Sequence, residues 1–423
     1  MNNAKAEKIV MEGGYPLHGK IYVSGSKNAC LALMPCSLLT EETVCLTNTP
    51  RLIDIDTMIE LFTSLGVSVE QTQGQINICS ANCKKTLASY EIVNKMRASI
   101  LVLGPLLGRY GEAQVALPGG CAIGARPVNL HLDALKAMGA ELKLEGGYIY
   151  AKAPRGLRAV NYKLPTISVG TTVNLILAAT LADGKTVLEN ASQEPEIIDL
   201  ANCLRNMGAK IVGDGTSVVE IQGVSSLQGV THNVLADRIE MGTYMIAPAI
   251  AGGEVEIIGG EPWLVGALTE KLKQAGVLVT QTDNGIKIKK SDDGIKPVDI
   301  RTAPFPRFPT DLQAQMMALL CLADGVSLIE ETIFENRFMH VPELQRLGAD
   351  ISVQGARAVI RGVKGLQGAP VMATDLRASV SLILAGLCAK GLTVVSHVHH
   401  LDRGYEKLEE KLAACGAQIW RVK

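Results

Sequence analysis

The sequence predicts an α/β protein of two domains, each built from three copies of one structural unit. Three observations carry that prediction. A helix-like stretch ending in a small or apolar residue, a glycine and a β-prone residue recurs six times, at Leu65-Gly66-Val67, Met138-Gly139-Ala140, Met207-Gly208-Ala209, Ala275-Gly276-Val277, Leu347-Gly348-Ala349 and Cys415-Gly416-Ala417, about 70 residues apart along 423 residues. Upstream of each lies an apolar helix-like run, a small turn and a β-branched strand. A second signature, Gly-x-x-x-Leu-x-Gly, closes units at Gly223–Gly229 and Gly362–Gly368 and appears again at Gly13–Gly19 near the N-terminus.

The elements follow in order. The apolar runs and their strands are Ala29–Leu39 with Thr43–Leu46, Ala98–Leu107 with Ala113–Leu117, and Val173–Leu181 with Lys185–Leu188. In the second half they are Gly242–Ile250 with Glu254–Ile258, Leu312–Leu322 with Val326–Ile329, and Ala378–Leu387 with Leu392–Val395. Because these helices are apolar nearly all round, they are expected inside, with no solvent face. Each recurring glycine stands where a helix C-terminus needs a left-handed residue. The unit therefore reads strand, buried helix, strand, amphipathic helix, glycine, hairpin, a βαβαββ repeat. The last copy stops at Val422-Lys423 without its closing signature, so the first strand of the chain is expected to complete it. Domain limits of 1–25 with 237–423, and 26–236, follow.

Composition narrows function. A formal net charge of −1 offers no electrostatic case for nucleic acid or a membrane surface. Neither a signal peptide nor an apolar run of about 18 residues is apparent, and the chain reads as cytoplasmic. Most of the ten cysteines sit in apolar helical runs, and Cys79 and Cys83 have no second pair, so neither zinc nor any other metal or cofactor is expected. His397, His399 and His400 read as strand and loop residues.

Three places depart from the repeat. Cations stand at the starts of buried helices: Lys27 before Asn28, Arg97, Arg377, and at related positions Arg238. A cation in a first helical turn opposes the macrodipole by up to about 1 kcal/mol. Several such cations make sense if an anion binds those helix starts; the other reading is that each is solvated or paired with a carboxylate, as Asp375 could pair with Arg377. The loop from Leu117 to Pro127 is glycine-rich and carries Cys121 away from any apolar helix, which reads either as a reactive thiol or as an incidental surface cysteine. In Phe308-Pro309-Thr310-Asp311, Thr310 reads as a helix N-cap and Asp311 as a first-turn acid, or Asp311 shares a site with the cations.

At these residues the chain resembles the enolpyruvyl transferases. The match includes Ser24-Gly25-Ser26-Lys27-Asn28, Met96-Arg97-Ala98-Ser99, the Pro118–Pro127 loop, Ser168-Val169-Gly170 and Arg301-Thr302-Ala303-Pro304. It continues through Phe308–Asp311, Phe334–His340 with Arg337 inside it, Asp375–Ser379 and Asp402-Arg403-Gly404-Tyr405. The resemblance implies an inside-out α/β barrel in each domain, helices inside and sheets outside, with the active site in the interdomain cleft. It implies two small-molecule substrates, phosphoenolpyruvate and UDP-N-acetylglucosamine, and leaves the oligomeric state open.

By the same resemblance, Lys27, Asn28, Arg126 and Arg403 would hold phosphoenolpyruvate. Cys121 would protonate its methylene carbon, carry a thioketal adduct and be the target of the epoxide fosfomycin. Asp311 would take the proton of the sugar's 3-hydroxyl, and Lys27 and Arg403 would serve the same chemistry. Arg97, Arg126, Pro127, Val128, Asn129, Leu130, Ser168, Val169, Gly170, Asp311 and Ile333 would contact the nucleotide sugar, and Arg337, Asp375 and Arg377 would support the site. Asn129 stands where many relatives have Asp, Thr166 where some have Lys, and Ser26 where Ala is more usual. The nearest other enzyme is the sister transferase acting on shikimate 3-phosphate, from which the Pro-Gly-Gly-Cys loop departs. A catalytically silent paralogue is the non-enzymatic alternative, and intact Lys27, Cys121, Arg126, Asp311 and Arg403 argue against it.

Overall fold

A computed structural model describes residues 7–119 and 128–423. The six glycines sit at φ of 88° for Gly66, 93° for Gly139, 105° for Gly208, 88° for Gly276, 93° for Gly348 and 100° for Gly416. Each closes the same pair of bonds. At the second copy the Gly139 N–H donates to Lys136 O at 2.9 Å and Ala140 N–H to Leu135 O at 3.0 Å. This double bond pattern ties off the last carbonyls of the helix and turns the chain into the following strand.

The chain divides into two compact units, one of described residues 7–24 and 236–423 and one of 25–119 and 128–235. In the second of these, three four-stranded sheets run in the orders Val230–Asn233, Val44–Thr47, Gln75–Cys79, Ser68–Thr72; Leu87–Ala88, Glu112–Ala116, Tyr148–Lys152, Glu141–Glu145; and Asn161–Lys163, Lys185–Glu189, Val218–Gln222, Lys210–Val212. The first pair in each sheet is parallel and the others are antiparallel. The parallel strand is a link between repeats. Leu87–Ala88 follows the first hairpin yet joins the second sheet, and Val230–Asn233 follows the third yet returns to the first. Three repeats therefore close into a ring.

The other unit is built alike. Ile300–Arg301 and Pro370–Met372 hand on to the next sheet in parallel, and Leu17–Tyr22 pairs in parallel with Gly253–Ile258. Lys8–Glu12 lies antiparallel between Leu392–Ser396 and Gln418–Val422, supplying the hairpin partner that the last repeat lacks.

Inside each ring stand the apolar helices. Residues 171–179 of Val169–Ala179, 238–250 of Arg238–Ala251 and 377–387 of Leu376–Cys388 are all buried, as expected of helices without a polar stripe. Some of the expected helical runs are partly 3₁₀. Lys27–Leu33 passes into a 3₁₀ stretch at Met34–Leu39, where Pro35 has no N–H to continue the α ladder. Arg97–Val102 and Thr310–Leu312 are 3₁₀ turns leading into Leu103–Tyr110 and Gln313–Leu320. His397 is left-handed and Val398–Arg403 forms a further 3₁₀ turn, where a strand and loop were expected. Among the described residues no helix is long and apolar enough to cross a membrane.

Candidate active site

Within each unit, several of the chemistry-bearing residues stand at the starts of the inner helices. In the unit containing Asp311, the 3₁₀ turn Thr310–Leu312 presents the carboxylate to two arginines. Arg337 Nη2 lies 2.7 Å from Asp311 Oδ1 and Arg377 Nη2 lies 3.2 Å from Oδ2. The arginine side chains are 7% and 5% exposed, against 27% for Asp311, so the carboxylate is the part of the cluster that reaches outward. Burial pulls the Asp311 pKa up, but Arg337 and Arg377, with the Arg238 cation adding to them, outweigh it and hold the carboxyl well below the usual carboxylate range.

Those arginines are themselves held. Arg377 Nη1 donates to the Tyr405 hydroxyl at 3.3 Å, and that hydroxyl shares a 2.9 Å bond with Thr243 Oγ1. Gln315 Nε2 donates to Asp311 O at 2.8 Å and to Thr243 Oγ1 at 3.2 Å, fixing the turn against the helix that follows. Arg337 Nη1 donates to Thr310 Oγ1 at 2.9 Å, and Thr310 in turn donates to Glu331 Oε2 at 2.9 Å. Glu331 also accepts from Thr302 Oγ1 and from the Ile333 and Phe334 backbone N–H groups, so one buried carboxylate ties three segments together.

Two sequence expectations are corrected here. Thr310 is no N-cap: it lies within the 3₁₀ turn and spends its hydroxyl on Glu331, while the Asp311 carboxylate faces arginines. Asp375 is not the partner of the Arg377 guanidinium. Its carboxylate caps the helix Leu376–Cys388 by accepting from the Arg377 and Ala378 N–H groups at 2.9 and 3.1 Å. Arg377 is thereby free to reach Asp311. Arg403 ends the 3₁₀ turn Val398–Arg403 in the same unit, and Ile333, two residues after Glu331, donates its backbone N–H to that carboxylate at 2.9 Å.

In the other unit, Lys27 opens the helix Lys27–Leu33, with Ser26 as N-cap accepting from Ala29 N–H at 3.2 Å and Asn28 next in line. Lys27 Nζ lies 3.2 Å from Asp54 Oδ2, with side chains 12% and 5% exposed. Arg97 opens the turn Arg97–Val102. Val128 precedes the helix Asn129–Ala137, which Asn129 and Leu130 begin. Ser168 caps Val169–Ala179 by accepting from Thr171 N–H at 3.3 Å, which places Val169 and Gly170 on its first turn. Cys121, Arg126 and Pro127 lie outside the described residues.

Sequence reasoning missed Thr243, Gln315, Glu331, Asp54, His131 and Asn174. Each is a polar residue inside or beside an apolar run, and such interruptions were the one signal that could have marked them, since a buried polar group needs a partner.

The comparisons with known proteins bear on the family and the fold. The family model described as EPSP synthase (3-phosphoshikimate 1-carboxyvinyltransferase) matches residues 11–412. The chain is 61% identical over 419 residues to the UDP-N-acetylglucosamine 1-carboxyvinyltransferase of Dinoroseobacter shibae, covering 99% of each. It is 59% identical to the protein of that name from Ruegeria pomeroyi, covering 99% of this chain and 100% of the relative. Among solved structures, the enolpyruvyl transferase NikO from Streptomyces tendae shares the fold at a TM-score of 0.87 and 23% identity, covering 99% of each chain. EPSP synthase from Acinetobacter baumannii does so at 0.77 and 20%, covering 99% of this chain and all of that one. With six repeats in two closed rings, a match over nearly its whole length and relatives near 60% identity, the chain belongs to the EPSP synthase (3-phosphoshikimate 1-carboxyvinyltransferase) family of enolpyruvyl transferases.

Proposed function

We propose that this chain transfers the enolpyruvyl group of phosphoenolpyruvate to the 3-hydroxyl of UDP-N-acetylglucosamine with release of phosphate, the first committed step of peptidoglycan biosynthesis. The observation that carries the reading is the 59–61% identity, over essentially complete lengths, to proteins named for that transfer. The likeness to EPSP synthase, at 20% identity, supports the fold and not the shikimate substrate.

The reaction runs by addition and elimination. Protonation of the methylene carbon by the Cys121 thiol makes the neighbouring carbon electrophilic. The sugar hydroxyl bonds to that carbon and yields its proton to Asp311, giving a tetrahedral ketal that still bears phosphate. Loss of a proton from the new methyl group back to the Cys121 thiolate and cleavage of the carbon–oxygen bond to phosphate then form the enol ether, the departing phosphate carrying off the proton that Asp311 accepted. Lys27, Arg126 and Arg403 hold the phosphate and carboxylate, and Asn28 lies beside Lys27. Fixed cations there favour the charge of the departing phosphate.

A carboxylate held by two arginines is a weak base, which bears on the order of events. A free alcohol does not surrender its proton to such a group. An alcohol whose oxygen is already bonding to an electrophilic carbon is far more acidic, so a weak, ionised acceptor suffices if proton transfer accompanies bond formation. Asp311 is thus suited to late proton transfer, with Arg337 and Arg377 keeping its orientation and Asp375 capping the helix that carries Arg377. Arg97, Arg126–Leu130, Ser168–Gly170 and Ile333 take the nucleotide sugar.

The test is phosphate release from phosphoenolpyruvate. Release is expected with UDP-N-acetylglucosamine and not without it. Release with shikimate 3-phosphate and none with the nucleotide sugar would overturn the reading.

A further inference from the structure

The solvent face of the sheet Pro370–Met372, Leu392–Ser396, Lys8–Glu12, Gln418–Val422 departs from the other five. Its strands alternate, so Ile9, Met11, Thr393, Val395 and Ile419 are buried while their neighbours point outward. One outward row crosses the whole sheet. Pro370 stands opposite Val394, Val394 opposite Val10, and Val10 opposite Trp420. All four are apolar, and Trp420 is 44% exposed. In the other five sheets every outward row of described residues holds a polar or charged member, as Lys287, Glu256 and Lys20 do in one and Glu220 does in another. A continuous apolar row centred on an exposed Trp is the mark of a contact surface rather than of a solvated one.

The charges on this face say what covers it. On other sheets exposed charges pair across strands: Lys20 with Glu256 at 3.3 Å, Lys185 with Glu220 at 2.7 Å and Arg357 with Glu330 at 3.0 Å. Lys8 and Glu12 flank Val10 on one strand, both exposed, and neither has an ion-pair partner among the described residues. Each stands about 7 Å from Val10, one on either side and of opposite sign. A two-fold axis along the apolar row lays Val10 on Val10, Trp420 on Trp420, and Lys8 of each copy on Glu12 of the other. A contact between identical subunits needs a patch that complements itself in this way. Two sheets stacked so have nearly antiparallel strands, within the roughly 30° that sheet twist imposes. A lipid surface would select cations alone, and a partner of different sequence would not require equal and opposite charges about one residue. Four strands of five residues present a face of about 19 by 16 Å, at the small end of specific interfaces, so association belongs at micromolar concentrations.

We infer that the outward face of this sheet is an interface with a second copy of the chain, centred on the row from Val10 to Trp420 and registered by reciprocal pairing of Lys8 with Glu12. The inference is independent of the proposed function, since none of these residues belongs to the candidate site. It gives the N-terminal strand two tasks. Its buried face completes the last repeat through Ile9 and Met11, and its outward face joins two molecules.

Sedimentation velocity of the full-length protein at low salt reads the association directly, and the parent should pass from monomer to dimer between about 1 and about 200 µM. Trp420→Glu should weaken the dimer by at least about tenfold. Lys8→Glu and Glu12→Lys should each weaken self-association by about tenfold, because each sets like charges against one another at two places in the dimer. Mixed in equal amounts, those two single variants should associate with each other as tightly as the parent does with itself, since every facing pair is then opposite in sign. Lys8 and Glu12 are exposed, so both variants should keep the parent's melting curve. A parent that stays monomeric at about 200 µM, a dimer undisturbed by Trp420→Glu, or a mixture of the two charge variants that associates no better than either alone overturns the inference. The transfer reaction stands in each case.

Discussion

Replacing Asp311 with asparagine tests whether this residue is the hub of the site or an ordinary first-turn acid. As a helix cap its loss would cost about 0.5–2 kcal/mol. The structure sets a different scale. The carboxylate bridges Arg337 at 2.7 Å and Arg377 at 3.2 Å, and both guanidinium groups are almost fully buried. Removing one partner from a buried ion pair costs about 3–5 kcal/mol. Asp311 itself is 27% exposed, and asparagine keeps its shape and one acceptor, so about 2–3 kcal/mol is expected here. For a unit of this size that is roughly 4–12 °C in thermal midpoint.

The dependence on pH follows from the direction of the shift. The folded pKa of Asp311 is depressed below its unfolded value of about 3.9, so its contribution is fully present above that value and is lost as pH falls through the folded one. In denaturant titrations the gap between the parent and Asp311→Asn should be constant above about pH 5 and should close below about pH 4. Turnover should fall by about two to four orders of magnitude, the usual worth of a general base. A gap that persists unchanged into strong acid would refute the ion-pair account, and normal turnover in the variant would refute the catalytic one.

Two further outcomes are expected. Gly139→Ala should lower stability by about 1–2 kcal/mol through backbone strain alone, because φ is 93° and an added Cβ meets nothing within 4 Å; an unchanged melting curve would show that the repeat's helix cap is unstrained. Fosfomycin should alkylate Cys121 and no other cysteine, since Cys30, Cys321 and Cys388 are pushed up to about 12 chiefly by burial and Cys36, Cys83, Cys203 and Cys415 are also buried; peptide mapping that finds label spread to the half-buried Cys45 or Cys79 would count against a special thiol.

The sequence by itself determined the repeat, and with it the architecture. The six glycines are visible because a left-handed helix end admits few other residues, and the buried helices because a run with no polar stripe cannot face water. The cations at helix starts were legible for the same reason: they contradict local helix preference, so they needed a cause outside the helix. Family motifs then marked Asp311, Arg337 and Arg377 singly. What the sequence did not contain was which side chain meets which. Asp375 and Arg377 are two residues apart and looked like partners, yet the carboxylate turns back to its own helix's N–H groups while the guanidinium crosses to Asp311, 66 positions away. Asn174 and His131 were unremarkable along the chain, and only the fold brings the amide within 3.1 Å of the imidazole. Local pattern is decided by backbone sterics and by burial, which act over a few residues. Pairing of polar groups is decided by the packing of helices from different repeats, and distances of that kind exist only in the folded chain.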